Sequence, residues 1–216
     1  MKTDKIKYAR HPQLLLIFCG WSVSPEILRD IEPDEGEDLW LVSDYRDLLF
    51  PEDISRYEKV RLIAWSFGVY VASRICPDWP VRFGPCIAIN GTPRPVDDRE
   101  GIPLSVFQGT LQQLSPENIR KFNRRMCGSH EVLRHYESVP LRPFEEVSAE
   151  LRHLSDEVNA HPEGSFAWDK AWVSTSDRIF PPDNQKRAWE KRDVPYQEIN
   201  APHYGFNQTK KWTEWI

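Results

Sequence analysis

The sequence has little that would direct it into a membrane or out of the cell. Its N-terminal region holds one apolar run, Leu14–Phe18, which is too short for a signal peptide or a membrane span. Only four cysteines occur, and no two have the CxxC spacing of redox or zinc motifs. We therefore expect a cytoplasmic protein with reduced thiols that holds no metal and no organic cofactor and touches no membrane.

An excess of positive charge is also lacking. The formal net charge is −5, which argues against general nucleic-acid binding. Hydrophobic residues make up 40% and charged residues 28% of the chain, values typical of globular domains. The 216 residues suit one domain, or one core with a modest insertion, and we expect a monomer.

Six short apolar runs bounded by turn residues predict β-strands. They are Leu14–Phe18, Leu39–Val42, Arg61–Ala64, Cys86–Ile89, Ala171–Val173 and Tyr196–Ile199. Continuous runs of this length are typical of strands buried on both faces of a mainly parallel sheet. One helix is predicted from Ser66 to about Cys76 and a short one over Pro25–Asp30. With 18 prolines in the chain, we expect the other crossovers to be rich in loops.

Helical spacing replaces the strand pattern in the middle of the chain. Ser115 followed by Pro116 is typical of a helix N-terminus, and residues 144–158 repeat apolar side chains on one helical face. We therefore predict a helical lid over residues 101–165, inserted in an α/β core formed by residues 1–100 and 166–216.

A serine lies where one predicted strand turns into a helix. Residues 64–68 read A-W-S-F-G, which resembles the G-x-S-x-G elbow of α/β-hydrolases with Ala64 in place of the first glycine. Such a turn presents the serine hydroxyl at a helix N-terminus, where free N–H groups favour a developing oxyanion. The motif equally suits a Ser66 that only caps the helix, so alone it decides nothing.

An aspartate and a histidine also follow predicted strands. Taken singly, Asp177 fits a turn or a helix cap, and His203 fits a solvated loop. With Ser66 they occur in the order Ser, Asp, His, which is the chain order of α/β-hydrolases, and the carboxyl ends of parallel strands meet at one sheet edge. The sequence therefore predicts a catalytic triad in which His203 is the general base and Asp177 orients it.

A loop after the first apolar run completes the predicted site. It reads Cys19-Gly20-Trp21-Ser22, at the position where this fold supplies an oxyanion-hole amide. We expect the backbone N–H groups of Trp21 and Phe67 to form the hole, and the Trp21 side chain to line the pocket. Ordinary core packing is the alternative for that side chain.

Four segments give the sequence a family resemblance: LLLIFCGWS, AWSFGVYVAS, STSDRIFPP and NAPHYGFN. With them, nearly the whole chain resembles the BioG type of pimeloyl-[acyl-carrier protein] methyl ester esterase. The resemblance implies an α/β-hydrolase that uses Ser66, Asp177 and His203 to remove the methyl ester in biotin synthesis. It also implies a hydrophobic acyl channel under the lid and an acyl carrier protein that docks on basic lid residues.

The charge pattern of the lid supports a carrier-docking surface independently. Residues 117–142 carry six basic and three acidic side chains, a net +3 that leaves −8 for the rest of the chain. Arg120, Lys121, Arg124 and Arg125 lie along one side of the predicted helix. On the opposite side, Phe122 and Met126 are placed to shelter an acyl chain. The alternative for each basic residue taken singly is that it is only a solvated surface side chain.

Two other functions stay open on the sequence alone. A thioesterase for carrier-bound acyl chains would use the same triad and a similar lid. A non-catalytic carrier-binding relic of the fold would not need Ser66, Asp177 and His203 together.

Overall fold

The computed structural model describes residues 1–215 and is built on one seven-stranded sheet. The strands are β1 (Lys2–Lys7), β2 (Gln13–Phe18), β3 (Glu37–Ser43), β4 (Lys59–Trp65), β5 (Phe83–Ile89), β6 (Lys170–Ser174) and β7 (Tyr196–Ile199). Their order is β1-β3-β2-β4-β5-β6-β7. Only the β1–β3 pair is antiparallel, so the predicted mainly parallel sheet is confirmed.

The two edge strands differ from the sequence prediction. β1 was not predicted, because its sequence KTDKIK has no apolar run and most of its side chains are exposed. β7 was predicted as a strand buried on both faces, but Gln197 and Glu198 are exposed and its other two residues are half-buried. An edge strand has a neighbour on one side only, so it needs less apolar surface than a central strand.

Six α-helices surround or extend beyond the sheet. They are α1 (Phe67–Ile75), α2 (Leu104–Gln112), α3 (Pro116–Cys127), α4 (His130–Tyr136), α5 (Phe144–Ala160) and α6 (Pro182–Glu190). The β2–β3 connection holds only a 3₁₀ turn, Pro25–Leu28, and the β3–β4 connection holds no helix. The β4–β5 connection contains α1, and the β6–β7 connection contains α6. Two of these four connections thus lack an α-helix, so the predicted loop-rich connections are confirmed. No helix within residues 1–215 is both long and apolar enough to cross a membrane.

Two of the helices between β5 and β6, α3 and α4, begin at serine caps. The Ser115 hydroxyl accepts a hydrogen bond from the Asn118 N–H at 3.2 Å, as expected for the N-cap of α3. Gly128 ends α3 with a φ of 70°, and the Ser129 hydroxyl caps α4 through the Val132 N–H at 3.2 Å. These two adjacent caps turn the chain sharply between α3 and α4.

A buried carboxylate in β3 ties two loops to the sheet. Asp38 has no exposed surface and accepts hydrogen bonds from the Tyr57 hydroxyl and Arg56 Nη2, both at 2.7 Å. The amides of Ala9 and His11 also donate to it, at 3.0 and 3.2 Å. Burial opposes ionisation of Asp38, but these four donors outweigh it and lower the pKa of the carboxyl below its ordinary value.

We expect Asp38→Asn to lower the free energy of unfolding by about 2 kcal/mol at pH 7, because an uncharged amide leaves buried donors poorly paired. Because the pKa of Asp38 is lower in the folded than in the unfolded protein, its ionised form stabilises the fold at pH values above the unfolded-state pKa. This stabilisation is lost as the pH falls through the folded-state pKa. The difference between variant and wild type should therefore shrink from pH 7 to pH 3 in urea unfolding. The exposed Asp53→Asn is the control; an Asp38→Asn deficit equal at both pH values would contradict the charge argument.

Candidate active site

The turn between β4 and α1 places Ser66 on a strained backbone. Ser66 has φ 60° and ψ −129°, a left-handed φ that non-glycine residues rarely adopt. A Cβ on Gly68 would lie 2.5 Å from the Phe18 carbonyl oxygen, and one on Gly91 would lie 2.2 Å from the Ser66 carbonyl oxygen. Glycine at both positions therefore allows β2 and the chain after β5 to approach the turn closely.

Ser66, His203 and Asp177 form one chain of hydrogen bonds. His203 Nε2 lies 2.9 Å from Ser66 Oγ, and His203 Nδ1 lies 2.7 Å from Asp177 Oδ2. All three residues are buried. With an ionised Asp177, His203 Nδ1–H donates to the carboxylate and Nε2 is left to accept the serine proton. The structure thus brings the three predicted residues together from the ends of β4, β6 and β7.

The Asp177 carboxylate is fixed by three further donors. Its Oδ1 accepts from the amides of Ile179 at 2.8 Å and Phe180 at 2.9 Å, and its Oδ2 accepts from Gln185 Nε2 at 3.0 Å. Gln185 also donates to the Phe180 carbonyl at 2.8 Å. These three donors fix the orientation of the carboxylate toward His203. Sequence reasoning missed Gln185, which lies on α6.

The backbone of His203 is held by two side chains. Its carbonyl oxygen accepts from Asn90 Nδ2 at 2.9 Å and from Trp65 Nε1 at 3.1 Å. Asn90 also accepts the Ser174 N–H and donates to the Ser174 hydroxyl, both at 2.8 Å, so it joins the ends of β5 and β6. The His203 ring stacks on Phe180 with an interplanar angle of 6°. Asn90 was also missed; an Asn-Gly pair directly after a strand was the available signal.

The two backbone amides predicted to form an oxyanion hole have no acceptor within the described part of the chain. Within residues 1–215, neither the Trp21 N–H nor the Phe67 N–H donates a hydrogen bond. Phe67 is the first residue of α1, so its amide is one of the unpaired groups at that helix N-terminus. The Trp21 side chain, by contrast, is fixed: its indole Nε1 donates to the Val147 carbonyl on α5 at 2.9 Å.

A narrow apolar cleft opens above Ser66. Its walls include the three predicted substrate-binding residues, Trp21, Phe122 and Met126. Side chains that were not predicted also line it, among them the apolar Trp65, Ile102, Val106, Phe107 and Leu151 and the charged Arg178. The rings of Trp21 and Phe122 meet edge to face at 5.0 Å, which joins the loop after β2 to α3. A largely apolar cleft over a serine that is hydrogen-bonded to a histidine suits a neutral ester with an aliphatic chain.

The four predicted docking residues share the outer surface of α3. Arg120, Lys121, Arg124 and Arg125 are all exposed, and Lys121 forms an ion pair with Glu117 at 2.9 Å. Arg125 also lines the cleft, so the basic surface reaches its rim.

Comparison with known families decides the class. Residues 1–215 match the model of the family described as pimeloyl-ACP methyl esterase BioG. The chain belongs to the BioG family. This confirms the resemblance seen in the sequence, and with it the predicted esterase function on a pimeloyl group carried by an acyl carrier protein in biotin synthesis.

Solved structures of other proteins support the BioG fold. A crystal structure of BioG from Haemophilus influenzae is 37% identical, covers all of both chains and superimposes with a TM-score of 0.95. A lipase-esterase related protein from Clostridium acetobutylicum, only 12% identical, covers 96% of this chain and 93% of its own with a TM-score of 0.64. At that identity the likeness concerns the fold alone, and it confirms the predicted α/β-hydrolase class.

A longer relative contains a BioG-like region. The malonyl-[acyl-carrier protein] O-methyltransferase of Bacteroides fragilis is 40% identical over 195 residues, which are 89% of this chain. This chain spans 39% of the length of that relative.

We expect Asn90→Gly to lower kcat for a small chromogenic ester about tenfold, because the His203 carbonyl loses one of its two donors. Glycine accepts the Asn90 φ of 48°, so the change removes hydrogen bonds without adding backbone strain. Asn200→Gly, at an exposed position directly after β7, is the control and should keep kcat within about twofold. An Asn90→Gly enzyme with the wild-type kcat would contradict a positioning role.

Proposed function

We propose that Ser66, His203 and Asp177 are the catalytic triad with which this esterase hydrolyses the methyl ester of pimeloyl-ACP. The observation that carries the proposal is the unbroken hydrogen-bonded chain from Ser66 Oγ to the Asp177 carboxylate at the base of an apolar cleft. Asp177 fixes the His203 tautomer, and His203 is oriented to take the Ser66 proton.

The first half of the reaction forms an acyl-enzyme. Ser66 Oγ attacks the ester carbonyl carbon as its proton moves to His203 Nε2, and the carbonyl oxygen becomes an oxyanion. The Asp177 carboxylate stabilises the resulting imidazolium. When the tetrahedral intermediate collapses, the bond to the methoxy oxygen breaks, and His203 returns the proton to release methanol.

The second half releases the acid. Water attacks the Ser66 ester as His203 Nε2 takes one of its protons, and the second tetrahedral intermediate expels Ser66 Oγ, which recovers that proton. The product ionises to a carboxylate, and Arg125 and Arg178 line the cleft in which this carboxylate forms.

The oxyanion hole consists of the Trp21 and Phe67 amides. Their lack of protein partners within the described chain supports this role, and the dipole of α1 adds to the stabilisation at Phe67. Both donors are main-chain groups, so the hole does not depend on the histidine that often precedes the glycine of this loop.

Residues 101–165 act as a lid on the core formed by residues 1–100 and 166–216. The support is that α2, α3 and α5 all contribute side chains to the cleft that contains Ser66. Phe122 and Met126 from α3 and Trp21 from the core lie along the aliphatic chain of the substrate.

The carrier docks on Arg120, Lys121, Arg124 and Arg125 and sends its acylated arm between α2 and α3. A groove between these helices shares Val106, Thr110, Phe122 and Arg125 with the cleft. It continues to the polar side chains of Gln113, Asn118 and Lys121. Apolar walls near Ser66 suit the acyl chain, and the polar outer part suits the amides and phosphate of a phosphopantetheine arm.

We further propose that the chain works as a cytoplasmic monomer that binds no nucleic acid. Four buried, unpaired cysteines and the net negative charge support this assignment.

Ser66→Ala should lower hydrolysis of pimeloyl-ACP methyl ester by about 10⁴-fold or more, because the nucleophile is lost. Loss of the methyl group is followed by mass spectrometry, with folding checked by circular dichroism. Wild type should also react with a fluorophosphonate probe, and Ser66→Ala should not. Full activity in Ser66→Ala would exclude the triad, whereas labelling of wild type without ester turnover would point to a thioester substrate.

Arg124→Glu should raise KM for the carrier-bound ester about tenfold and leave KM for a small ester unchanged, because only the carrier meets the outer face of α3. The matched control is Arg82→Glu, an equal charge reversal at an exposed arginine before β5, on the sheet edge opposite Ser66. Equal changes for both substrates, or for both variants, would contradict docking on α3.

A further inference from the structure

A carboxylate is buried on the core-facing side of the lid helix α5. Glu150 has no exposed surface, yet it belongs to none of the catalytic groups described above. Its Oε1 accepts the Tyr45 N–H at 2.9 Å, and its Oε2 accepts Arg142 Nη1 at 2.7 Å and the Ser22 N–H at 3.4 Å. All three partners are donors, which fits an ionised carboxylate.

Glu150 belongs to a cluster of charged groups around Arg142 and Asp44. Burial raises the pKa of Glu150 above its ordinary value, and Arg142 and the two amides oppose this shift. Arg142 is itself nearly buried and also pairs with Asp44 at 3.1 Å. Asp44 in turn is paired with Arg46 at 2.6 Å and Lys2 at 3.1 Å. Removing one partner from a buried ion pair is strongly destabilising, so these contacts keep the Glu150 side chain in place.

The partners of Glu150 hold the loop Cys19–Ser22 at both ends. The Tyr45 hydroxyl donates to the Cys19 carbonyl at 2.6 Å, and the Tyr45 amide is the one bound by Glu150. At the other end, Ser22 has a φ of 70°, a left-handed conformation that needs support from its surroundings. Glu150 binds the amide of that residue.

The Trp21 side chain is held by the same helix. Its indole donates to the carbonyl of Val147, which lies three residues before Glu150 on the same face of α5. One segment of α5 therefore binds both the Trp21 side chain and the peptide group between Trp21 and Ser22.

We propose that Glu150 is a positioning residue that aligns the Trp21 N–H for the oxyanion and thereby couples docking of the lid to completion of the oxyanion hole. The inference rests on the proposed role of the Trp21 amide. Glu150 touches neither substrate nor the triad; it acts through the loop Cys19–Ser22. Its carboxylate accepts bonds from the two residues that set the course of this loop, Tyr45 and Ser22.

The test compares Glu150→Gln with Glu146→Gln in the full chain. Glu146 belongs to the same charge cluster, through Lys2, Arg46 and Arg142, but has no hydrogen bond to the loop. Both variants are assayed with p-nitrophenyl butyrate, and active sites are counted by fluorophosphonate titration. Inhibition by butylboronic acid, which forms a tetrahedral serine adduct, reports on the hole without the carrier.

Glu150→Gln should lower kcat per active site at least about tenfold with KM within about twofold, and raise the boronic acid inhibition constant by a similar factor. Glu146→Gln should change none of these by more than about twofold. A merely structural role would reduce the number of active sites and the unfolding temperature, but not the boronic acid affinity of those that remain. Wild-type kcat and inhibition in folded Glu150→Gln would overturn the proposal.

Glu150→Asp serves if Glu150→Gln does not fold, since it keeps the charge but shortens the reach of the carboxylate to the Tyr45 and Ser22 amides. It should lower kcat several-fold without changing KM, and an unchanged kcat would again overturn the proposal. Failure of wild type to hydrolyse the ester or bind the boronic acid would instead refute the proposed triad.

Discussion

The parallel alignment of β4, β5, β6 and β7 brings the residues of the proposed triad together. Parallel strands send their carboxyl ends to one edge of the sheet, so residues far apart in the chain become neighbours there. Ser66, Asn90, Asp177 and His203 each follow one of these strands within a few residues. The hydrogen bonds among them join the ends of β4, β5 and β6 to the segment after β7, so Ser66 and His203 are held by the sheet.

The strained backbone at Ser66 is stabilised by close packing around it. The left-handed backbone conformation of Ser66 is unfavourable by itself. It is maintained because the surrounding backbone fixes it. Gly68 and Gly91 allow this contact, because a side chain at either position would collide with a carbonyl oxygen. Trp65, the residue before Ser66, also binds the His203 carbonyl, so the proposed nucleophile and its proposed base share a support.

Central strands and the order of the triad were predictable because both leave local patterns in the sequence. Apolar runs mark strands buried on two faces, and Ser66, Asp177 and His203 each follow such a run. The polar edge strand β1 has no such pattern. Asn90, Gln185 and Glu150 were missed because their roles depend on partners contributed by distant segments. A glutamate on an amphipathic helix looks like a surface residue until Ser22 and Tyr45 are brought against it.

The two halves of the proposed site have separate supports, and this affects selectivity among esters. The core, through Asn90 and Trp65, holds His203 against Ser66, whereas α5 of the lid holds Trp21. With the lid displaced, the serine and its base would stay aligned while one donor to the oxyanion is lost. A small ester that enters an open cleft then meets an incomplete catalyst, whereas a long acyl chain that fills the cleft stabilises the closed state. Discrimination against short cellular esters would thus come from the duration of lid closure as well as from pocket shape.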